Sequence, residues 1–152
     1  MKEPMVSIIL KYALHAAFIA GVIVTVTLPF MLDTYVYHIQ GHTSINAEYR
    51  AFIVPFLIGI SVPCLWIVLE MIFMLRSIPG GPFVMRNVHA LYRTGALLLM
   101  LVAAFTVKCF IYLTFLTMLC TLLFAGGGLF SFTLAALIRQ SIVLREENDL
   151  TI

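Results

Sequence analysis

Charge is what this chain has least of. Only 11% of its 152 residues are Asp, Glu, Lys or Arg, while 62% are hydrophobic. A soluble domain carries about a quarter charged residues. The mean hydropathy is +1.09. So little charge excludes an ordinary water-soluble globule and puts the chain in the membrane class. The net charge of +2 gives no case for direct nucleic-acid contact, because the basic residues sort to membrane faces. Cysteine is also scarce. Cys64, Cys109 and Cys120 stand apart in apolar context, with no C-x-x-C pair. That excludes a dithiol redox site or a zinc knuckle and leaves three small buried side chains. There is no Ser-His-Asp arrangement, no H-E-x-x-H and no Walker loop. Of four histidines only His15 lies inside an apolar run, so no facing pair exists to hold a haem. These absences predict a non-enzyme without a metal or cofactor.

What the chain has in abundance is apolar length. Crossing about 30 Å of hydrocarbon takes about 20 apolar residues in a helix. Four runs qualify, at about 8–30, 51–75, 95–115 and 119–138. The expected fold class is all-α, an integral membrane four-helix bundle forming one domain over 1–152. The turn between the last two spans is expected at 114–118. The first run is too long for a signal-peptide core and no A-x-A site follows it, so it reads as a retained span. Lys2, Lys11, Arg76, Arg86, Arg93, Arg139 and Arg145 fall on one side of the spans, and Arg50 and Lys108 on the other. Seven against two places both termini, the 76–94 loop and the 139–152 tail in the cytoplasm.

The spans carry local signals. Small residues recur every four positions at Ala13, Ala17, Gly21 and Thr25, and again at Gly127, Ser131 and Ala135. Such faces let another helix approach closely, either within the bundle or in a homodimer. Pro55, Gly59 and Pro63 predict a bend in the second span. In the outer segment 31–50, Tyr35, Tyr37 and Tyr49 suit the membrane–water interface. Asp33, His38 and His42 have the chemistry for a metal or a pH response. Gly41 interrupts any helix that would pair the histidines, so an exposed polar loop is expected there.

Two intramembrane charges stand out. Glu70 is the only carboxylate inside an apolar run, about 9 Å before Arg76 along a helix. An unpaired acid there is costly. Three readings are open: a side chain reaching headgroup water, an ion pair with Arg93 or Arg139, and a proton or cation transport site. Lys108 lies about 20 Å beyond Gly95, and its stem is expected to carry the ammonium into the outer headgroups.

The break between the second and third spans reads RSIPGGPFVMRNVHALYR at 76–93. Its Pro/Gly cluster ends one helix, and Pro82 suits the first turn of the next. Phe83, Asn87 and Leu91, flanked by Val84 and Val88, predict a short basic amphipathic helix on the inner leaflet, entering the third span at Gly95. The tail reads REENDLTI at 145–152, basic and then acidic. It is expected to fray, to lie on the basic loop, or to be bound by a partner as a strand.

These two segments resemble a bacterial family of small four-span membrane proteins of unassigned activity. Its members share a G-x-P-F loop with a following asparagine, a leucine and a glycine opening the third span, and a tail E-E-N-D-L-T-hydrophobic. The matching residues are Gly80, Pro82, Phe83, Asn87, Leu91, Gly95 and Glu146 through Ile152, with Gly81 an extra glycine before Pro82. Genes of that family often sit beside one for a short helix-turn-helix regulator. The resemblance implies a non-enzymatic sensory or regulatory protein of the bacterial plasma membrane that binds such a regulator. The docking residues would be Phe83, Arg86, Asn87, Leu91, Arg93, Glu146, Glu147, Asn148, Asp149 and Leu150. The alternative is a small proton-coupled transporter or exporter subunit centred on Glu70. The expected partners are the lipid bilayer, the regulator and a second copy of the chain.

Overall fold

The computed structural model describes residues 5–40, 47–77 and 84–149. They form four helices: α1 Met5–Gln40, α2 Ala47–Ser77, α3 Met85–Ile111 and α4 Phe115–Asp149. No strand occurs among the described residues. Each helix is long and apolar enough to cross a membrane. The chain is a multi-pass membrane protein with the expected all-α, four-helix architecture. The four spans bring Lys11, Arg76, Arg86, Arg139 and Arg145 toward one end, called here the basic end.

The breaks follow local chemistry. α1 stops one residue before Gly41, and α2 stops at the start of the Ser-Ile-Pro-Gly-Gly-Pro run. Val84 is extended, with φ −123° and ψ 138°, and α3 starts after it. Tyr112 is extended at the other end of α3 (φ −137°, ψ 92°), and its N–H still donates to the Lys108 carbonyl at 2.8 Å. Thr114 then stands at the N-cap of α4 and accepts from the Met118 amide at 3.2 Å.

Four expected boundaries are corrected. Most of the outer segment 31–50 is helix, since α1 runs to Gln40 and α2 begins at Ala47. The turn between the last two spans lies at 112–114, earlier than 114–118. The stretch from Met85 to Thr94 is not a separate helix on the leaflet but the first turns of α3. Its apolar face is buried against other helices rather than in lipid: Val88 and Leu91 form a core with Ala135 of α4, against which Met74, Leu134, Ile138 and Ile142 pack. The fourth helix does not end at 138, because α4 stays helical through Asp149.

The helices pack in chain order. α1 lies on α2, α2 on α3 and α3 on α4, and among the described residues no other pair approaches closely. The tightest face joins α3 and α4. Ala135 is fully buried, the Ser131 hydroxyl donates to the Leu91 carbonyl at 2.8 Å, and the tip of the Phe132 ring packs against Gly95. The small-residue face of α4 is therefore used within the chain. On α1, Gly21 faces Leu65 of α2, while Ala13 and Ala17 are exposed. At the end away from the basic residues a chain of rings crosses three helices. Tyr49 and Phe52 meet Tyr112, Phe56 meets Phe105, and Phe105 meets Phe124, with centroids 4.9 to 5.5 Å apart. Between the two ends, Pro55, Gly59 and Pro63 line an open groove of about 260 Å³ against Met100, Leu101 and Ala104.

This packing separates two glycines. A methyl group at Gly95 would meet three Phe132 ring carbons at 3.0–3.1 Å, whereas at Gly59 it would meet nothing within 4 Å. Gly95→Ala should lower unfolding stability in detergent by about 1–2 kcal/mol. Gly59→Ala should be neutral or raise it by up to about 1 kcal/mol. Equal effects of the two changes would contradict the α3–α4 packing.

Candidate functional site

Helix spacing builds the site. Trp66, Glu70 and Phe73 are four and three residues apart, so they share one face of α2. Arg86, Ala90 and Arg93 repeat that spacing on α3. The two faces meet near the basic end and line a cavity of about 390 Å³, together with Leu69, Met74 and Asn87.

Glu70 is 5% exposed. Its Oε1 lies 3.2 Å from Arg93 Nε in an ion pair and accepts from the Trp66 Nε1–H at 3.3 Å. Of the three readings open for Glu70, the ion pair with Arg93 is the one the structure contains. Arg139 is exposed on α4. A carboxylate in hydrocarbon needs such partners, because water is not there to solvate it. The Arg93 side chain keeps 59% of its surface exposed, so its guanidinium bridges the buried acid and the cavity. Sequence reading did not single out Trp66, although its place four residues before Glu70 was the available signal.

Lys108 does not reach into the headgroups as expected. It is 8% exposed, and its Nζ donates to the Thr117 hydroxyl at 2.5 Å and the Thr114 hydroxyl at 3.4 Å. The short 112–114 turn supplies the reason. It folds α4 back so that two hydroxyls come within reach, and they replace water around the ammonium. A second contact that sequence reading missed joins α1 to α2. His15 Nδ1 lies 2.6 Å from the Lys11 carbonyl, so it carries the proton, and Nε2 accepts from Arg76 Nη2 at 3.5 Å.

The expected docking residues are not brought to one place. Arg86 and Arg93 are both exposed at the cavity. Asn87 and Leu91 are buried, so neither presents a side chain to a partner. The reason is the correction made above: the face holding them is covered by α2 and α4. Glu146, Glu147 and Asn148 are exposed on α4. Val88 lies level with Ala135, so Arg86 lies near the level of residue 137. Glu146 is nine residues farther along α4, about 13 Å. Phe83 and Leu150 lie outside the described residues, and α4 ends at Asp149. For the metal reading, no group of three His, Cys, Asp or Glu gathers among the described residues. His42 and the side chains of Asp33 and His38 lie outside the description.

Comparison with known proteins finds no matching family model, no matching curated protein and no matching solved structure.

The placement of Lys108 is directly measurable. In detergent, an amine-reactive acyl reagent should modify exposed Lys11 at least about tenfold faster than buried Lys108, as mass spectrometry would read. Comparable rates would mean that the ammonium is in water and the threonine contacts do not persist.

Proposed function

We propose that this protein is a non-enzymatic regulatory component of a bacterial plasma membrane, and that its basic end, facing the cytoplasm, binds a small helix-turn-helix regulator. One observation carries this reading: α4 runs on past its last core contact. Ile142 still packs on the core at the start of α3. Beyond it, 143–149 continues as helix for about 10 Å. Its exposed side chains are mixed: Arg145 basic, Glu146 and Glu147 acidic, Val143 and Leu144 apolar. An exposed helix with both apolar and charged side chains is suited to lie in a partner's groove. The tail is thus read as a helix rather than as the strand first expected. The family resemblance supports the identity of the partner, and the arm supplies a surface of useful size.

Glu70 gives the second reading, a proton-coupled transporter. The cavity beside Glu70 favours it. The carboxylate would have to release Arg93 during each cycle, which makes this the weaker reading. Under it, Glu70→Gln abolishes substrate-driven proton movement in vesicles.

The arm is tested by crosslinking and co-purification from native membranes. Deleting 146–152 should abolish capture of the regulator and leave membrane insertion intact. Leu144→Ala alone should weaken capture about tenfold, the effect of losing one buried apolar contact. Undiminished capture by both variants would remove the arm from the interface.

A further inference from the structure

We propose that the cavity between α2 and α3 is a binding site for the phosphate headgroup of an anionic lipid of the leaflet at the basic end. This inference does not depend on the regulatory reading.

Charge comes first. The ionisable groups lining the cavity are Glu70, Arg86 and Arg93. Glu70 and Arg93 cancel as a pair at 3.2 Å. Arg86 makes no ion pair among the described residues and is exposed. One net positive charge remains, which a single monoanionic phosphate neutralises and a zwitterionic headgroup does not. Arg93 meets Glu70 with its Nε at 3.2 Å while its side chain stays 59% exposed, so the guanidinium can also offer N–H groups to a phosphate oxygen. The acid thereby fixes the arginine in place.

Depth comes second. Arg86 lies at the start of α3, and Arg93 is seven residues farther, about 10 Å along the helix. The cavity therefore runs from headgroup level into the acyl region. Its volume of about 390 Å³ matches a headgroup rather than a whole lipid. Deeper than Arg93 the wall is Leu69 and Trp66, and Trp66 and Phe73 are exposed on the same face of α2. Acyl chains leaving the cavity would run along that face. A free phosphate would use the arginines but would have no use for this wall.

Trp66 lines the cavity and is the only tryptophan of the chain, so it reports on the site. The experiment reconstitutes the full-length protein into bilayers of equimolar phosphatidylcholine and phosphatidylglycerol, with bromine on the acyl chains of one lipid at a time. Brominated phosphatidylglycerol should quench Trp66 as if enriched about fivefold over bulk, the preference conferred by about one basic side chain at a charged surface. Arg86→Gln should remove that excess. Arg139→Gln, which changes a basic residue on α4 outside the cavity, should keep it. Arg86 is the residue to change because, unlike Arg93, it neutralises no buried acid. Equal quenching by the two brominated lipids, or an excess that survives Arg86→Gln, overturns the proposal. Loss of the excess in Arg139→Gln also overturns it, since the attraction would then be to the surface at large. Displacement of the lipid by inorganic phosphate would assign the site to a free anion instead.

Discussion

Among the described residues, the packing that joins one half of this fold to the other lies in the face between α2 and α3. Among these residues α1 packs on α2 and α4 on α3, two helical hairpins joined at the α2–α3 face. In water such a joint would be held by burying apolar surface. In lipid that force is absent, because acyl chains are as apolar as the side chains they replace. What remains is close packing and polar contact. The joint has both, at opposite ends: rings at one, and the Glu70–Arg93–Trp66 group at the other. Between them the proline and glycine positions of α2 leave a groove that α3 does not fill.

The polar end is the more consequential. A buried carboxylate left alone in hydrocarbon is costly enough to distort what surrounds it. Glu70 therefore constrains where α3 begins and how it is rotated, since Arg93 must arrive from that helix. The same rotation puts Val88 and Leu91 onto α4 and Arg86 at the cavity mouth. The α3–α4 hairpin solves its own charge problem separately, with Lys108 folded onto Thr114 and Thr117 at the opposite end.

Much of this was legible in the sequence. Twenty-residue apolar runs between breakers gave four helices, and the asymmetry of lysine and arginine gave one basic end. Glu70 could be singled out because an intramembrane acid demands a partner, and the partner proved to be one of the two arginines expected. Other features were not legible for definite reasons. The pattern at Phe83, Asn87 and Leu91 showed that one side of the segment is apolar, but a period of 3.6 does not say whether lipid or another helix covers that side. Leu91 turned out to be covered by α4. Lys108 was expected in the headgroups because its stem is long. The threonines that hold it lie across a turn whose position sequence could place only within a few residues. The α4 extension was hidden because its composition turns polar at 139, the usual sign of a helix end in a membrane protein. The helix continues because nothing in 139–149 breaks it: there is neither proline nor glycine.

Glu70 and Arg93 form an energetic link between the two hairpins. A double-mutant cycle measures that link, with unfolding followed in detergent for the parent chain, Glu70→Gln, Arg93→Gln and the double variant. A coupling of about 1–3 kcal/mol is predicted, with the double variant more stable than the two single losses would sum to. Single effects that add to within about 0.5 kcal/mol would show that the two residues do not interact. The joint would then rest on its ring contacts alone.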